Sequence, residues 1–271
     1  QELALHHFMQ GEFLVNQGNY ALAILEFQDA LDLDPNAPTI HVSITDAYRR
    51  LGKNKRAENH LQVAIELNPD EVEAYEILGK IYILQKRLPQ AEAAFRELTR
   101  LDPDNIDHLY ALADLARLQK QWDIAIDYYL EAYRVNSMAV KGLEQALQIS
   151  LATNKFERAE EICDLLLEEE PENEKYLETL RDLALFDNDF EKALKTIQIL
   201  ETTRGPTIEL LIQKSALYEE LDDSENALKE ILKAFGRDSL NSDVLNRLVN
   251  LLLNDKQIDH AENYNQLLIE K

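Results

Sequence analysis

Cysteine, glycine, proline and long apolar runs are all scarce in this sequence. Cys163 is the only cysteine among 271 residues, which excludes an intramolecular disulfide and a cysteine-based metal site. Glycine and proline occur seven times each, too rarely for an all-β or low-complexity chain of this length. No apolar run approaches the roughly 20 residues that cross a bilayer, so we expect no direct membrane insertion.

Basic residues are also few, and one end of the chain lacks them. The 28 lysines and arginines stand against 51 aspartates and glutamates, which gives a formal net charge of −23. Residues 1–48 contain no lysine or arginine at all. Nucleic acids and anionic membrane surfaces are bound through basic surfaces. The composition therefore predicts an acidic helical chain without a nucleic-acid partner.

What the sequence does contain is an alanine that recurs at a fixed interval of 34 residues. The series is Ala23, Ala57, Ala91, Ala125, Ala159, Ala193, Ala227 and Ala261. An unbroken period of this length is typical of a solenoid, in which each unit buries its apolar face only against neighbouring units. With the alanine at position 20, the repeats form a single array over residues 1–271. Their boundaries are 4–37, 38–71, 72–105, 106–139, 140–173, 174–207, 208–241 and 242–271.

Each repeat contains two blocks of apolar residues at helical spacing, which predict two helices, A and B. In repeat 3 the blocks are Tyr75, Leu78, Ile81 and Tyr82, then Ala91, Ala94, Phe95 and Leu98. Small residues at positions 8 and 20 allow the two helices to approach closely. Gly, Asn or Asp at position 15, between the helices, suits a left-handed helix cap in five repeats. Proline at position 32 ends helix B in four repeats.

This pattern resembles the tetratricopeptide repeat, and the resemblance extends over residues 4–271. It implies an all-α fold, a right-handed α-solenoid or superhelix of about 16 antiparallel helices in helix–turn–helix pairs. Position 8 departs from the pattern in repeats 5, 6 and 8, where it is Leu147, Arg181 and Val249. We expect looser or slightly rotated packing there, most of all in repeat 6, which also contains Gly205-Pro206.

No catalytic residue, cofactor site or metal site is predicted. The six histidines fall at unrelated repeat positions without a metal-ligand spacing, and His6-His7 would bind a metal only with ligands from elsewhere. Cys163 takes position 24, a core position in the other repeats, so we expect a buried and unreactive thiol. The stretch 187–191 resembles part of a calcium loop, but capping of helix B by Asp189 explains it better. We therefore expect a protein that is not an enzyme.

The resemblance implies instead a groove for partner peptides, formed by positions 2, 5, 9, 12 and 13 of each helix A. In the first four repeats the candidate binding residues are Phe8, Glu12, Asn16, Asp46, Arg49, Arg50, Lys80, Tyr110, Asp114 and Arg117. Arginine suits the recognition of carboxylates because it presents a planar fork of donors. One hypothesis is that an acidic segment of a partner docks on these cations. The alternative is that Asp46, Glu76 and Asp114 neutralise them.

Charge is also divided between the two edges of the repeats. The A–B turns are cationic in repeats 2–5, beginning with five cations within residues 49–56, whereas the junctions between repeats are acidic. A segregated edge can steer and orient a charged partner. Solubility alone is the competing explanation.

These features favour a scaffold or adaptor that binds a partner peptide or helix. Two alternatives stay open. The chain begins with glutamine, so it can be a targeting or regulatory segment of a larger enzyme or of a bacterial envelope lipoprotein. The compartment is accordingly the cytoplasm or, if an upstream signal was removed, the bacterial periplasm or envelope. The apolar final helix, with Ile258, Ala261, Tyr264, Leu267 and Leu268, suggests self-association as the other alternative.

Overall fold

A computed structural model describes residues 2–269 of the chain, with side chains described up to Leu267. Within these residues it contains sixteen α-helices and no β-strand. The helices are α1 (Glu2–Asn16), α2 (Tyr20–Leu33), α3 (Pro38–Arg50), α4 (Asn54–Leu67), α5 (Val72–Leu84), α6 (Leu88–Leu101), α7 (Ile106–Leu118), α8 (Trp122–Val135), α9 (Val140–Ala152), α10 (Phe156–Glu169), α11 (Glu174–Phe186), α12 (Phe190–Arg204), α13 (Ile208–Glu220), α14 (Ser224–Arg237), α15 (Ser242–Asn254) and α16 (Ile258–Ile269). The predicted all-α fold is confirmed, while the side chain of Leu268 and the last two residues of repeat 8 lie outside the described part.

Odd-numbered and even-numbered helices alternate as helices A and B of the repeats. In repeat 2, α3 occupies positions 1–13 of the repeat and α4 occupies positions 17–30. The same bounds recur in repeats 3, 4, 5 and 7. The helix–turn–helix pairs therefore follow the period of the sequence, because the apolar blocks that each pair buries recur with that period.

The turn between helices A and B has one backbone conformation throughout the chain. The residue at position 15 has a positive φ, between 56° and 77°, in all eight repeats. The next residue donates its N–H to the carbonyl oxygen at position 11, as Lys53 does to Tyr48 at 2.8 Å. This is the Schellman motif, which satisfies carbonyl groups at a helix end. Lys86, Lys120 and Lys256 adopt it although lysine has no preference for this conformation, so the packing of the helix pair imposes the turn.

Positions 8 and 24 determine how closely helices A and B approach. A Cβ atom on Gly11 would lie 2.7 Å from the ring of Phe27, and one on Gly79 would lie 2.8 Å from the ring of Phe95. Real Cβ atoms do not approach other carbons so closely, because repulsion rises steeply inside van der Waals contact. Glycine is thus required in these two repeats by the phenylalanine opposite it.

Two of the three departures at position 8, Leu147 and Arg181, are accommodated by their immediate neighbours. In repeat 5 the larger Leu147 occurs with the small Cys163 at position 24, and both are buried. In repeat 6 the guanidinium group of Arg181 donates to Asp182 at 2.8 Å. Helix α12 of that repeat extends to Arg204, and Gly205 follows it with a φ of 83°. Repeat 6 is therefore locally irregular, as expected, whereas looser packing in repeats 5, 6 and 8 stays a prediction.

The core is built from both helices of each repeat. The eight alanines at position 20 are at most 2% exposed. The chain forms two compact units, one that ends at Gln145 and one that begins at Ala146. The main apolar cluster of the first unit runs from α2 to α7, and the clusters of the second unit join α11 to α13 and α13 to α16. No described helix combines the length and apolar character needed to cross a membrane.

Candidate functional site

The ten candidate residues lie on the A helices of the first four repeats, all within the first compact unit. Helix α1 carries Phe8, Glu12 and Asn16, α3 carries Asp46, Arg49 and Arg50, α5 carries Lys80, and α7 carries Tyr110, Asp114 and Arg117. Within each helix the candidate residues lie three, four, seven or eight positions apart, and Arg49 and Arg50 are adjacent. Residues at these spacings share one face of a helix. The side chains of Arg50 and Lys80 are exposed, whereas Phe8 is half-buried against Phe27, with ring centroids 6.0 Å apart.

Three of the four cations form ion pairs with an acidic residue of their own helix. The pairs are Arg50 with Asp46 at 3.6 Å, Lys80 with Glu76 at 3.2 Å and Arg117 with Asp114 at 3.0 Å. Exposed pairs at this spacing stabilise a helix by about 0.3–0.5 kcal/mol, so a partner's carboxylate can displace them. Arg49 has no ion-pair partner among the described residues. The neutralising acids are thus present, but they leave the cations accessible.

A cavity of about 310 Å³ joins part of the candidate set to residues that were not in it. It is lined by Tyr110, Asp114, Arg117, Tyr129, Lys141 and Gln145. Helix α7 supplies the first three, α8 supplies Tyr129, and α9 supplies the last two. Lys141 has no ion-pair partner among the described residues. The two cations outnumber the single carboxylate, so the lining carries a net positive charge in a strongly acidic chain.

The two tyrosines of this cavity are held in place by hydrogen bonds. The Tyr129 hydroxyl donates to the Asp114 carboxylate at 2.9 Å, and the Tyr110 hydroxyl donates to the Ala139 carbonyl oxygen at 3.3 Å. Burial and the Asp114 neighbour raise the pKa of Tyr129 to about 12, which keeps the hydroxyl protonated. A Cβ atom on Gly142 would lie 2.9 Å from the Tyr110 ring, so glycine leaves room for that ring. The cavity therefore combines fixed aromatic surface with two cations.

Lys141 and Tyr129 line the cavity but were not among the candidate residues, and the sequence points to only one of them. Lys141 occupies position 2 of repeat 5, which belongs to the groove positions, so extending the candidate set by one repeat would have included it. Tyr129 occupies position 24, which is a core position in the other repeats except repeat 8, where it is the exposed Asn265. Its ring is indeed buried, and only the structure shows that its hydroxyl reaches the Asp114 carboxylate.

In the second unit, two acidic residues at the corresponding positions have a cationic partner on a later helix. Glu178 on α11 accepts a hydrogen bond from Arg204 at 2.8 Å. Glu219 on α13 accepts one from Arg247 at 2.6 Å. A cavity of about 570 Å³ beside Glu219 and Arg247 is lined mostly by polar side chains. Glu178 and Glu219 thus form ion pairs between helices. The cavity around Tyr110 differs from the cavity beside Glu219 because it combines aromatic rings with an excess of cations.

The reactive side chains take structural positions in most cases. Cys163 is buried, and burial is the main reason that the pKa of its thiol is raised to about 12, so it is not a thiolate at neutral pH. Asp189 caps α12 by accepting a hydrogen bond from the Lys192 N–H at 3.0 Å, as expected. The interpretation that the histidines take unrelated positions is wrong for His6 and His108, which share position 3, and for His7 and His41, which share position 4. A periodic sequence brings equal positions into similar places in the helix pair, so His7 and His41 are expected to face the same position of helix B.

Each of these two histidines faces position 23 of its own repeat. His41 Nδ1 lies 3.0 Å from His60 Nδ1, and His41 Nε2 lies 3.3 Å from the Pro35 carbonyl oxygen. His7 Nδ1 lies 2.7 Å from Glu26 Oε2. Donor atoms of His7, Glu26 and Asp29 all lie within 4.8 Å of one another, so these three residues could hold a metal ion.

Comparison with known families and proteins gives a consistent result. The family model described as the tetratricopeptide repeat matches residues 4–38 and 45–106. The chain is 24% identical over 225 residues to DnaJ homolog subfamily C member 3 of Bos taurus, an alignment that covers 83% of this chain and 41% of the relative. It is 27% identical over 194 residues to the BBSome complex member BBS4 homolog of Drosophila melanogaster, covering 67% and 40%. The chain thus spans about two fifths of the length of the curated relatives it matches.

Solved structures share the fold. A tetratricopeptide repeat protein from Parabacteroides merdae superposes with a TM-score of 0.52 at 17% identity, covering 93% of this chain and all of that chain. A chain in the structure of Naa15/Naa10 bound to HypK-THB superposes with a TM-score of 0.58 at 14% identity, covering 92% of this chain and 39% of that chain. At these identities the likeness concerns the fold alone.

Proposed function

Since the chain belongs to the tetratricopeptide repeat family, we propose that it is a binding scaffold whose first unit holds an acidic segment of a partner protein. Proteins of this family are generally interaction modules rather than enzymes. One relative is named as a member of a complex, which is consistent with such a role. The proposal names a class of partner, a protein segment rich in Asp and Glu.

The cavity around Tyr110 is the observation that supports this proposal most. A carboxylate of the partner would bind between Arg117 and Lys141, and the apolar part of a neighbouring residue would pack on the two tyrosine rings. Asp114 keeps the hydrogen bond from Tyr129 when Arg117 turns to the partner, so it is not left without a donor. Arg49, Arg50 and Lys80 would bind further acidic residues of the same segment.

Fluorescence anisotropy with a labelled peptide tests the proposal. The probe is a peptide of alternating Glu and Leu, about ten residues long, which spans roughly 33 Å when extended. A peptide of alternating Lys and Leu serves as the charge control. We expect the acidic peptide to bind, and Arg117→Glu and Lys141→Glu each to weaken binding by about tenfold, which corresponds to about 1.4 kcal/mol. We expect Arg49→Glu to have a smaller effect, because it lies outside the cavity.

Lys195→Glu is the matched control variant. Lys195 is exposed on α12 in the second unit, and its replacement changes the net charge by the same amount. Equal loss of binding in Lys195→Glu and Arg117→Glu would show that only the overall charge matters. Unchanged binding in both Arg117→Glu and Lys141→Glu would remove the Tyr110 cavity from consideration.

A second candidate function is that of a targeting or regulatory segment in a larger protein. The relatives are longer than this chain, which aligns with 41% and 40% of them. The residues that flank this sequence in its full gene distinguish the two candidates. A flanking domain with catalytic motifs would favour a targeting or regulatory segment of a larger enzyme. Flanking residues without such motifs would favour a binding scaffold.

Self-association has less support from the last helix. Ala261 is buried and Tyr264 packs edge-on against Phe235, with ring centroids 5.2 Å apart. Two of the five apolar residues that suggested it thus pack within the chain, whereas Ile258 is 57% exposed, and self-association stays a prediction.

A further inference from the structure

Three side chains with metal-ligating atoms converge at the first helix pair. His7 projects from α1, and Glu26 and Asp29 project from the same face of α2, three residues apart. His7 Nδ1 and Glu26 Oε2 are 2.7 Å apart, and a carboxylate oxygen of Asp29 completes a triangle with no side longer than 4.8 Å. Bonds of about 2.0–2.2 Å from a tetrahedral ion to nitrogen and oxygen place its ligand atoms roughly 3.4 Å apart. Small rotamer changes therefore bring all three atoms to one ion.

The repeat frame shows that this combination is unusual within the chain. Positions 4 and 23 carry apolar or tyrosine side chains in most other repeats, for example Tyr75 with Ala94 and Leu245 with Tyr264. Repeat 1 has His7 and Glu26 at these positions instead, both half-buried. A polar pair at such a position loses solvation relative to an apolar pair. A bound cation would offset that loss.

The surroundings of the three side chains favour a cation. Residues 1–48 contain no lysine or arginine, so no cation from this part of the sequence neutralises Glu26 and Asp29. The side chains of His7 and Glu26 are 25% and 30% exposed, and Asp29 is exposed. An ion can therefore reach the site and keep water as its remaining ligand.

We propose that His7, Glu26 and Asp29 form a binding site for a divalent first-row transition metal ion, with Zn²⁺ as the representative. One imidazole nitrogen and two carboxylate oxygens suit this class of ion, whereas Ca²⁺ and Mg²⁺ prefer oxygen ligands alone. The bound ion links α1 to α2 and so stabilises the first repeat. The His7 hydrogen bond to Glu26 is the metal-free state of the same site.

Isothermal titration of the EDTA-treated protein with ZnCl₂ and with CaCl₂ tests this proposal. We expect one Zn²⁺ site, binding of Ca²⁺ weaker by at least about tenfold, and a melting temperature that rises with Zn²⁺ until the site is full. His7→Ala and Asp29→Asn are expected to weaken Zn²⁺ binding by about tenfold or more, because each removes a ligand. Asp29 is exposed, so Asp29→Asn tests the site even if His7→Ala affects folding.

Asp32→Asn and His260→Ala are the matched controls, since both residues are exposed and lie outside the triangle. Both are expected to bind Zn²⁺ as the unchanged protein does. Absence of binding heat, or equal affinity in the unchanged protein and Asp29→Asn, overturns the proposal. Loss of binding in His60→Ala with full binding in His7→Ala places the ion on the His41–His60 pair and overturns it as well.

Discussion

At the scale of single residues, the contact between positions 8 and 24 reverses the usual effect of glycine in a helix. Replacing glycine by alanine inside a helix normally stabilises it by about 1 kcal/mol. At Gly79 the added methyl group would lie 2.8 Å from the Phe95 ring. The helix pair must then separate or Phe95 must leave its rotamer.

Gly79→Ala is accordingly expected to lower the free energy of unfolding by about 1–3 kcal/mol, the usual effect of overpacking. Gly236→Ala is the control, because no atom beyond its chain neighbours and the adjacent backbone of α14 lies within 4 Å of a Cβ built there, and the residue is exposed. Urea denaturation measures both. A stable Gly79→Ala variant would mean that helices A and B are less closely packed than the structure indicates.

The histidine pair of repeat 2 makes stability depend on pH. Burial, with smaller contributions from His41 and Arg56, lowers the pKa of His60 from 6.5 to about 4, and burial also lowers the pKa of His41. The unfolded chain therefore binds protons more readily than the folded chain. This contribution to stability is complete above pH 6.5 and is lost as the pH falls from 6.5 towards 4.

We expect the native protein to lose on the order of 2 kcal/mol more stability than His60→Gln between about pH 7.5 and 4.5, since one pKa unit corresponds to about 1.4 kcal/mol. His260→Gln is the control, because His260 is exposed. Comparing variants at each pH removes the common effect of protonating the carboxylates. Parallel pH profiles of the native protein and His60→Gln would contradict the assignment.

At the scale of helices, the same repeat position differs in burial between the first repeat and the rest. Position 10 is 1% exposed at Leu115 but 55% exposed at Phe13. Helix α1 has no preceding helix pair among the described residues, whereas α7 is covered by α6. The first A helix thus exposes apolar surface that its equivalents bury.

Leu115→Ala is expected to lower the free energy of unfolding by about 2–5 kcal/mol, the usual effect of emptying a buried leucine position. Phe13→Ala is expected to change it by less than about 1 kcal/mol, because little buried area is lost. Denaturant titration of both variants checks this difference. An equal loss of stability in the two variants would contradict it.

A buried ion-pair network joins α12, α13 and α14. Lys214, with a side chain only 7% exposed, lies 2.7 Å from Glu201 and 3.4 Å from Glu230. Position 7 is leucine in four other repeats, so an apolar residue would fit there. Removing one member of a buried network leaves the other charges without compensation.

Lys214→Ala is expected to lower the free energy of unfolding by about 3–5 kcal/mol. Lys233→Ala is the control, since Lys233 also pairs with Glu230 but is 48% exposed, and we expect a loss below about 1 kcal/mol. The double replacement Lys214→Leu with Glu230→Leu is expected to regain part of the stability, because it removes the two most buried charges and leaves only Glu201, which is 21% exposed. Thermal or urea unfolding of the three variants measures this, and a double variant no better than Lys214→Ala would contradict the explanation.

At the scale of the whole molecule, charge is the dominant global feature. A net charge of −23 means that carboxylates repel one another over distances beyond single contacts. Screening shortens the reach of this repulsion from about 30 Å at 0.01 M salt to about 8 Å at 0.15 M. We expect the melting temperature to rise over this range of NaCl. A melting temperature that falls as NaCl is added would show that the attraction within surface ion pairs outweighs the repulsion between carboxylates.

The period of the sequence was sufficient to predict which segments are helices and how they pair. The observed bounds of α3 to α8 recur at the same repeat positions, because each apolar block repeats there. The sequence also predicted the buried thiol of Cys163 and the cap at Asp189. The period did not predict which side chains of different helices meet. Each such cluster joins residues from different repeat positions, and a periodic pattern describes every position by itself.

The sequence by itself therefore determined the repeat, the helix pairs, the left-handed turns at Gly18 and Gly52 and the acidic character of the chain. These are local or compositional properties, which recur wherever the same residues recur. The tertiary structure decided that Tyr129 and Lys141 belong to the cavity around Tyr110, and that His7 meets Glu26 and Asp29. Such meetings depend on the direction and rotamer of side chains on neighbouring helices, which spacing along one helix does not specify.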